Sequence, residues 1–164
     1  ITPPDWTAAD AGKGPVLVAV DATTPSLAAI AFAEQLATAL KRPLQATHAL
    51  LGLDGLGTSY LAPAEAISLR ARHKEAESER LRAFLLEHGH GELPLRTVSG
   101  PTINVLVEVA AELDCVAVVS GSRRLSLGER LFSASVGSEL ASLAPLPVAI
   151  IPPDFGRTDP AAAS

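Results

Sequence analysis

The sequence predicts an α/β domain built on a parallel sheet, and three observations predict it. Short apolar runs rich in β-branched residues alternate with longer stretches of helical periodicity, giving the order β-α-β-α-β-α-β-α-β. No two of these runs are joined by a hairpin signal. The first run, Pro15 to Val20 (PVLVAV), is apolar at every position rather than at alternate ones. That pattern suits a central strand covered on both faces.

Residues 1–13 carry prolines and glycines without a period and read as an N-terminal tail, with Trp6 pinned on the domain surface. After the first strand, Asp21 ends the apolar run. Thr24 reads as a helix N-cap with Pro25 in the first turn. Ala29, Phe32, Ala33, Leu36 and Leu40 follow at helical spacing. Lys41 and Arg42 suit the negative end of that helix, and Pro43 stops it. Leu44 to Leu50 is the second strand and contains His48. A glycine-bearing loop, Leu51 to Ala62, leads to Pro63, which opens a highly charged helix running to about Glu87. Gly89 and Gly91 are its expected stop. Leu93 to Val98 is the third strand, and Ile103, Leu106, Val107, Ala110 and Leu113 mark the third helix. Val116 to Val119 is the fourth strand. It opens at Ser120-Gly121-Ser122 into a polar loop carrying Arg123, Arg124 and Arg130. A last helix includes Val136, Leu140 and Leu143. Val148 to Ile151, bracketed by prolines, reads as an edge strand. Residues 153–164 read as a C-terminal tail.

The 164 residues suffice for one domain with a core, and 48% hydrophobic against 19% charged residues fits a globular chain. A net charge of −5 argues against a general nucleic-acid surface. No apolar run approaches the roughly 18 residues of a membrane span. The opening ITPPDW has neither the basic nor the apolar stretch of a secretory signal, and whether a longer protein precedes it is left open. Cys115, the lone cysteine, reads as a small buried residue and fits a reducing compartment. His88 and His90 have no carboxylate or cysteine at metal spacing, and no metal site is expected.

In parallel sheets of this kind, ligands sit at the carboxyl ends of the strands, where the winding direction reverses. The candidate positions are Asp21, the end of the second strand, and Gly121. A buried strand that opens into a Gly/Ser turn and runs on to a helix N-terminus gathers backbone N–H groups and partial positive charge, which suits an anion.

With those positions in place, the chain resembles the universal stress protein family from about Gly14 to Pro152. Three stretches carry the resemblance: VLVAVDATTPSLAAIAFAEQLA, TVSGPTINVLVEVAAELDCVAVVSGSRR and LFSASVGSELASLAPLPVAIIP. The resemblance implies a doubly wound, Rossmann-like sheet of the HUP type, in the order 3-2-1-4-5 with helices on both faces. It also implies a cytoplasmic stress-response or signalling module that binds ATP with magnesium. Residue by residue, adenine and ribose contacts would fall at Ala19, Val20, Asp21 and Ala49, with Asp21 accepting from the ribose hydroxyls. Phosphate contacts would fall at Gly121, Arg123, Arg124, Ala134, Ser135, Val136 and Gly137. The ATP-binding pattern of the family is G-x2-G-x9-G-(S/T). Here it reads Gly121, Arg124, Ala134 and Ser135, so one glycine of three and the hydroxyl remain. The family also pairs as homodimers, often through the fifth strand, here Val148 to Ile151.

Two other readings compete. One is a homodimeric interaction module without nucleotide, which the missing glycines favour and which would act through a protein partner. The other is an enzyme. DATTPS lacks the Ser-Gly-Gly run of pyrophosphate-loop enzymes, and no acid pair, Cys/His pair or Ser/His/Asp set is convincingly placed. At most, weak ATP hydrolysis is expected.

Overall fold

Three of the four residues of β1 (Val16–Ala19) have no solvent exposure: Val16, Leu17 and Val18 are buried on both faces of the sheet, as an uninterrupted apolar run requires. The computed structural model of the chain describes residues 1–3, 6–7, 11–51, 62–122 and 136–156. Around β1 lie α1 (Thr24–Leu40), β2 (Leu44–Leu50), α2 (Pro63–Glu87), β3 (Leu95–Ser99), α3 (Thr102–Glu112), β4 (Ala117–Gly121), α4 (Val136–Leu143) and β5 (Val148–Ile151). All strand pairs are parallel and the order is β3-β2-β1-β4-β5, as expected from the sequence. In register, Ala19 lies opposite Thr47 of β2 on one side and Ser120 of β4 on the other.

The alternation of side chains divides the core in two. Val16, Val18, Ala46 and Val119 pack with Ile30 of α1 and with Leu81 and Leu85 of α2. Leu17 and Val118 pack on the other face with Leu106 and Val109 of α3, Leu140 of α4 and Val148 of β5. Each fully buried side chain of this size contributes about 1.5–3 kcal/mol relative to an exposed one. Loss of a whole strand register is therefore not tolerated.

The N-cap of α1 is Thr23, one residue earlier than the sequence reading placed it. Its backbone is extended (φ −135°, ψ 156°), but its hydroxyl does not cap the helix. The helix ends at Lys41 in the left-handed conformation (φ 53°). There Lys41 N–H bonds Thr38 C=O at 3.2 Å, and Arg42 N–H bonds Ala37 C=O at 2.9 Å. This pair of bonds satisfies carbonyls that the last turn leaves open. Helix α2 spans the range read from the sequence and buries only Ala66, Ser78, Leu81 and Leu85. Gly89, at φ 83°, supplies the turn after it.

β3 starts at Leu95 rather than Leu93, because Leu93 N–H is held in a turn by His90 C=O at 3.1 Å. β4 runs on to Gly121, past the expected end at Val119. Pairing with β5 continues that far: Ser122 N–H still bonds Ile151 C=O at 2.7 Å.

Ahead of β1 the chain is bound to the α3–β4 turn. Gly14 N–H donates to Asp114 C=O at 2.7 Å, and Lys13 N–H donates to Asp114 Oδ2 at 2.8 Å. Side chains at Gly12 and Gly14 would collide with the backbone carbonyls of residues 113–115, so only glycine lets the segment pass this close.

Candidate functional site

The sheet changes winding direction between β1, which leads to β2 and β3, and β4, which leads to β5. The carboxyl ends of β1 and β4 therefore form the switch-point crevice. Asp21 follows β1 by two residues, and Gly121 ends β4. Because Ala19 and Ser120 are in register, the structure brings Asp21 and Gly121 to the same end of adjacent strands, as the sequence reading required.

Asp21 is built into the start of α1. Its Oδ1 accepts a hydrogen bond from Thr23 Oγ1 and another from Ser26 Oγ at 2.6 Å. Ser26 Oγ in turn accepts from Asp21 N–H at 2.9 Å. Ser26 is buried while Asp21 and Thr23 are half-buried, so the network is partly withdrawn from water, where bonds to a carboxylate are worth more. Thr24, read from the sequence as the N-cap, is instead the first helical residue. The aspartate gathers the hydroxyls of the first turn. Thr23 and Ser26 were missed as partners, although the run DATTPS carried the signal: a carboxylate followed by three hydroxyl residues within five positions.

Gly121 also has a local task. A Cβ built on it would lie 2.5 Å from Pro25 O and 2.8 Å from Pro25 C, so the end of β4 approaches the first turn of α1 with no room for a methyl group. The sequence reading assigned this glycine to a phosphate loop. The structure adds a reason for it that needs no ligand.

The other predicted positions fall as follows. Ala19 and Ala49 face α3 and α4, partly buried against that core, whereas Val20 is buried on the α1 and α2 side. Val136 and Gly137 open α4. In a right-handed crossover from β4 to β5, that helix end lies at the carboxyl edge of the sheet. Arg123, Arg124, Ala134 and Ser135 lie outside the described residues, as do most of the Leu51–Ala62 loop and Arg130. Thr47, Ala19 and Ser120 form a cross-strand row of small side chains one step below the crevice. Thr47 is wholly buried, and its hydroxyl has no hydrogen-bond partner among the described residues. His48 Nδ1 lies 2.9 Å from Val20 C=O. A carbonyl can only accept, so Nδ1 carries a proton and donates. This bond ties β2 to the residue just ahead of Asp21.

The displaced titrations lie elsewhere. Glu112 is held below the usual carboxylate range by its hydrogen bonds with Arg96, at 2.7 and 3.1 Å, on the exposed surface near the amino ends of the strands. Burial, with Asp114 beside it, pushes the Cys115 thiol up to about 11. Among the described residues no group of His, Cys, Asp and Glu is arranged to hold a metal ion, and no helix is long and apolar enough to cross a membrane.

Parallel order, helices on both faces and a carboxylate at the switch point define a doubly wound, Rossmann-like α/β protein. The sequence matches the model of the universal stress protein family over residues 14–152, and the chain belongs to that family. A comparison with curated proteins gives no match. Solved structures agree on the fold. A universal stress protein in complex with cAMP is 21% identical with a TM-score of 0.58, covering 84% of this chain and 96% of that one. Universal stress protein UspA from Lactobacillus plantarum is 20% identical with a TM-score of 0.57, covering 86% of this chain and 99% of that one. A functionally unknown protein from Pseudomonas aeruginosa is 22% identical with a TM-score of 0.65. There the match covers 90% of this chain but 50% of that one.

Proposed function

We propose that the chain is a stress-response or signalling module that binds an adenine nucleotide at the carboxyl ends of β1 and β4. The observation that carries this reading is the juxtaposition of Asp21 and Gly121 at the switch point. A base and ribose would lie against Ala19, Val20 and Ala49, with the ribose hydroxyls near Asp21. The phosphates would meet the Gly121 turn and the start of α4, with Arg123, Arg124 and Ser135 as further donors, and magnesium would offset their charge. A relative solved with cAMP supports a nucleotide of this class. Occupancy would act by joining β1, β4 and α4, so that a partner reads one arrangement of that surface. The proposed role is binding, in the cytoplasm, with at most weak ATP hydrolysis.

The test is thermal denaturation with ATP and magnesium, ADP or cAMP, on the wild type and on Asp21→Asn. A ligand at about a hundred times its dissociation constant adds about 2.7 kcal/mol. For a domain of this size that is a rise in Tm of about 5–10 °C. Asp21→Asn should weaken the shift as well as lower the ligand-free Tm. No shift with any of the three at millimolar concentration would remove the nucleotide site.

A second reading has its own support. Asp21 and Gly121 each have a structural reason to be what they are without a ligand: the carboxylate organises α1 and the glycine admits Pro25. On that reading the chain is an interaction module that pairs with a second copy through Val148–Ile151, and the same titration separates the two.

A further inference from the structure

β5 is an edge strand with few outward-facing groups. Val118 N–H bonds Pro147 C=O at 2.9 Å and Ser122 N–H bonds Ile151 C=O at 2.7 Å, so Pro147, Ala149 and Ile151 face β4. The backbone groups of Val148 and Ile150 therefore point away from the sheet, and Pro152 beyond them has no N–H to offer. At Val148 the outward groups are already used. Val148 N–H donates to Ile1 C=O at 2.8 Å, and the Ile1 nitrogen donates to Val148 C=O at 2.8 Å. Two residues that exchange both bonds form the hydrogen-bonded pair of an antiparallel ladder. Further along the same segment, Trp6 N–H bonds Pro3 C=O at 3.1 Å, and Lys13 and Gly14 are fastened to Asp114.

We infer that residues 1–3 are an intramolecular cap on the outer edge of β5, and that a strand from a second copy must displace them to pair there. An uncovered edge of Val and Ile is a template for another chain. Here Ile1 covers one end, Pro152 blunts the other, and among the described residues nothing bonds the outward groups of Ile150 between them. The cap stands on the hydrogen bonds themselves. The competition with a second copy rests on the interaction-module reading above, so the two are measured separately.

Amide exchange, followed by NMR at low concentration, reads the cap. Removing residues 1–7, which leaves the Gly12–Gly14 fastening in place, should lower the protection of the Val148 amide about tenfold, as expected for loss of one local hydrogen-bonded pair. The amides of Ala149 and Ile151, which face β4, should keep theirs. Equal protection of Val148 in both proteins would overturn the cap. A second variant, Val148→Pro in the full chain, deletes an outward donor and no bond to β4. It should release residues 1–3, seen as a heteronuclear NOE at Thr2 that falls to the value of a free terminus; an unchanged value overturns the cap equally. Sedimentation equilibrium reads the competition. Without residues 1–7 the chain should self-associate at concentrations at least about tenfold lower, by the same linkage. Adding Ile150→Pro to the shortened chain should return it to a monomer. An unchanged association constant on shortening, or dimers that survive Ile150→Pro, would overturn the competition while leaving the cap to the exchange data.

Discussion

Gly121→Ala tests whether the end of β4 is shaped by its own packing or by a ligand. The added methyl carbon would sit 2.5 Å from Pro25 O, 2.8 Å from Pro25 C and 3.1 Å from Pro25 Cβ. The first two are backbone atoms of a helical turn, which cannot swing aside as a side-chain tip does. That turn is held in place by the Asp21–Ser26 bonds. Relieving the contact means moving α1 away from the sheet or bending β4 away from β1, and either loosens the layer containing Val18, Ile30 and Val119. Overpacking of this kind costs about 1–3 kcal/mol. Alanine narrows the unfolded ensemble and returns about 0.5 kcal/mol. The net loss, about 0.5–2.5 kcal/mol, corresponds to a drop in Tm of about 1–10 °C for a domain of this size. Thermal and urea denaturation of the ligand-free protein measure it. A Tm within about 1 °C of the wild type would refute the packing argument and leave Gly121 to a ligand alone.

Thr47→Val exchanges a wholly buried hydroxyl, without a partner among the described residues, for a methyl group of the same shape. Stability should hold or rise by up to about 1 kcal/mol, read as a higher urea midpoint at unchanged slope; a loss of more than about 1 kcal/mol would mean that the hydroxyl has a partner. Cys115 tests the burial of the β4 entrance. Its thiol titrates near 11 instead of 9.0, so the folded state holds its proton longer than the unfolded one. The associated stability is whole below about pH 9 and is lost progressively as pH rises towards about 11, for a total of about 2–3 kcal/mol. Wild type should therefore lose more stability than Cys115→Ala between pH 8 and 11, and parallel profiles would contradict the shift.

Much of this fold was legible because its strands are short and buried. PVLVAV has no polar position that would let it lie at a surface, and Pro25, Pro43 and Pro63 punctuate the helices where the structure begins or ends them. The switch point followed from the order of elements. The tasks of the site residues did not. Gly121 has an ordinary side-chain-free backbone whose reason lies 96 positions away in sequence, at Pro25. No local rule connects them, because the contact exists only once β4 has joined β1. Asp21 was legible as a strand-end carboxylate, but its bonds to Thr23 and Ser26 depend on the helix starting one residue earlier than its best-looking cap. The pairing of Ile1 with Val148 spans 147 positions and leaves no periodicity to detect.

Helix α2 is 25 residues, about 37 Å at the usual rise, while the strand before it has seven residues and reaches about 23 Å. Between Pro63 and Glu77 it buries only Ala66. It is rooted by Leu81 and Leu85, and most side chains of its first half are exposed. It can lengthen, shorten or change its charges over three turns while the sheet below keeps its shape.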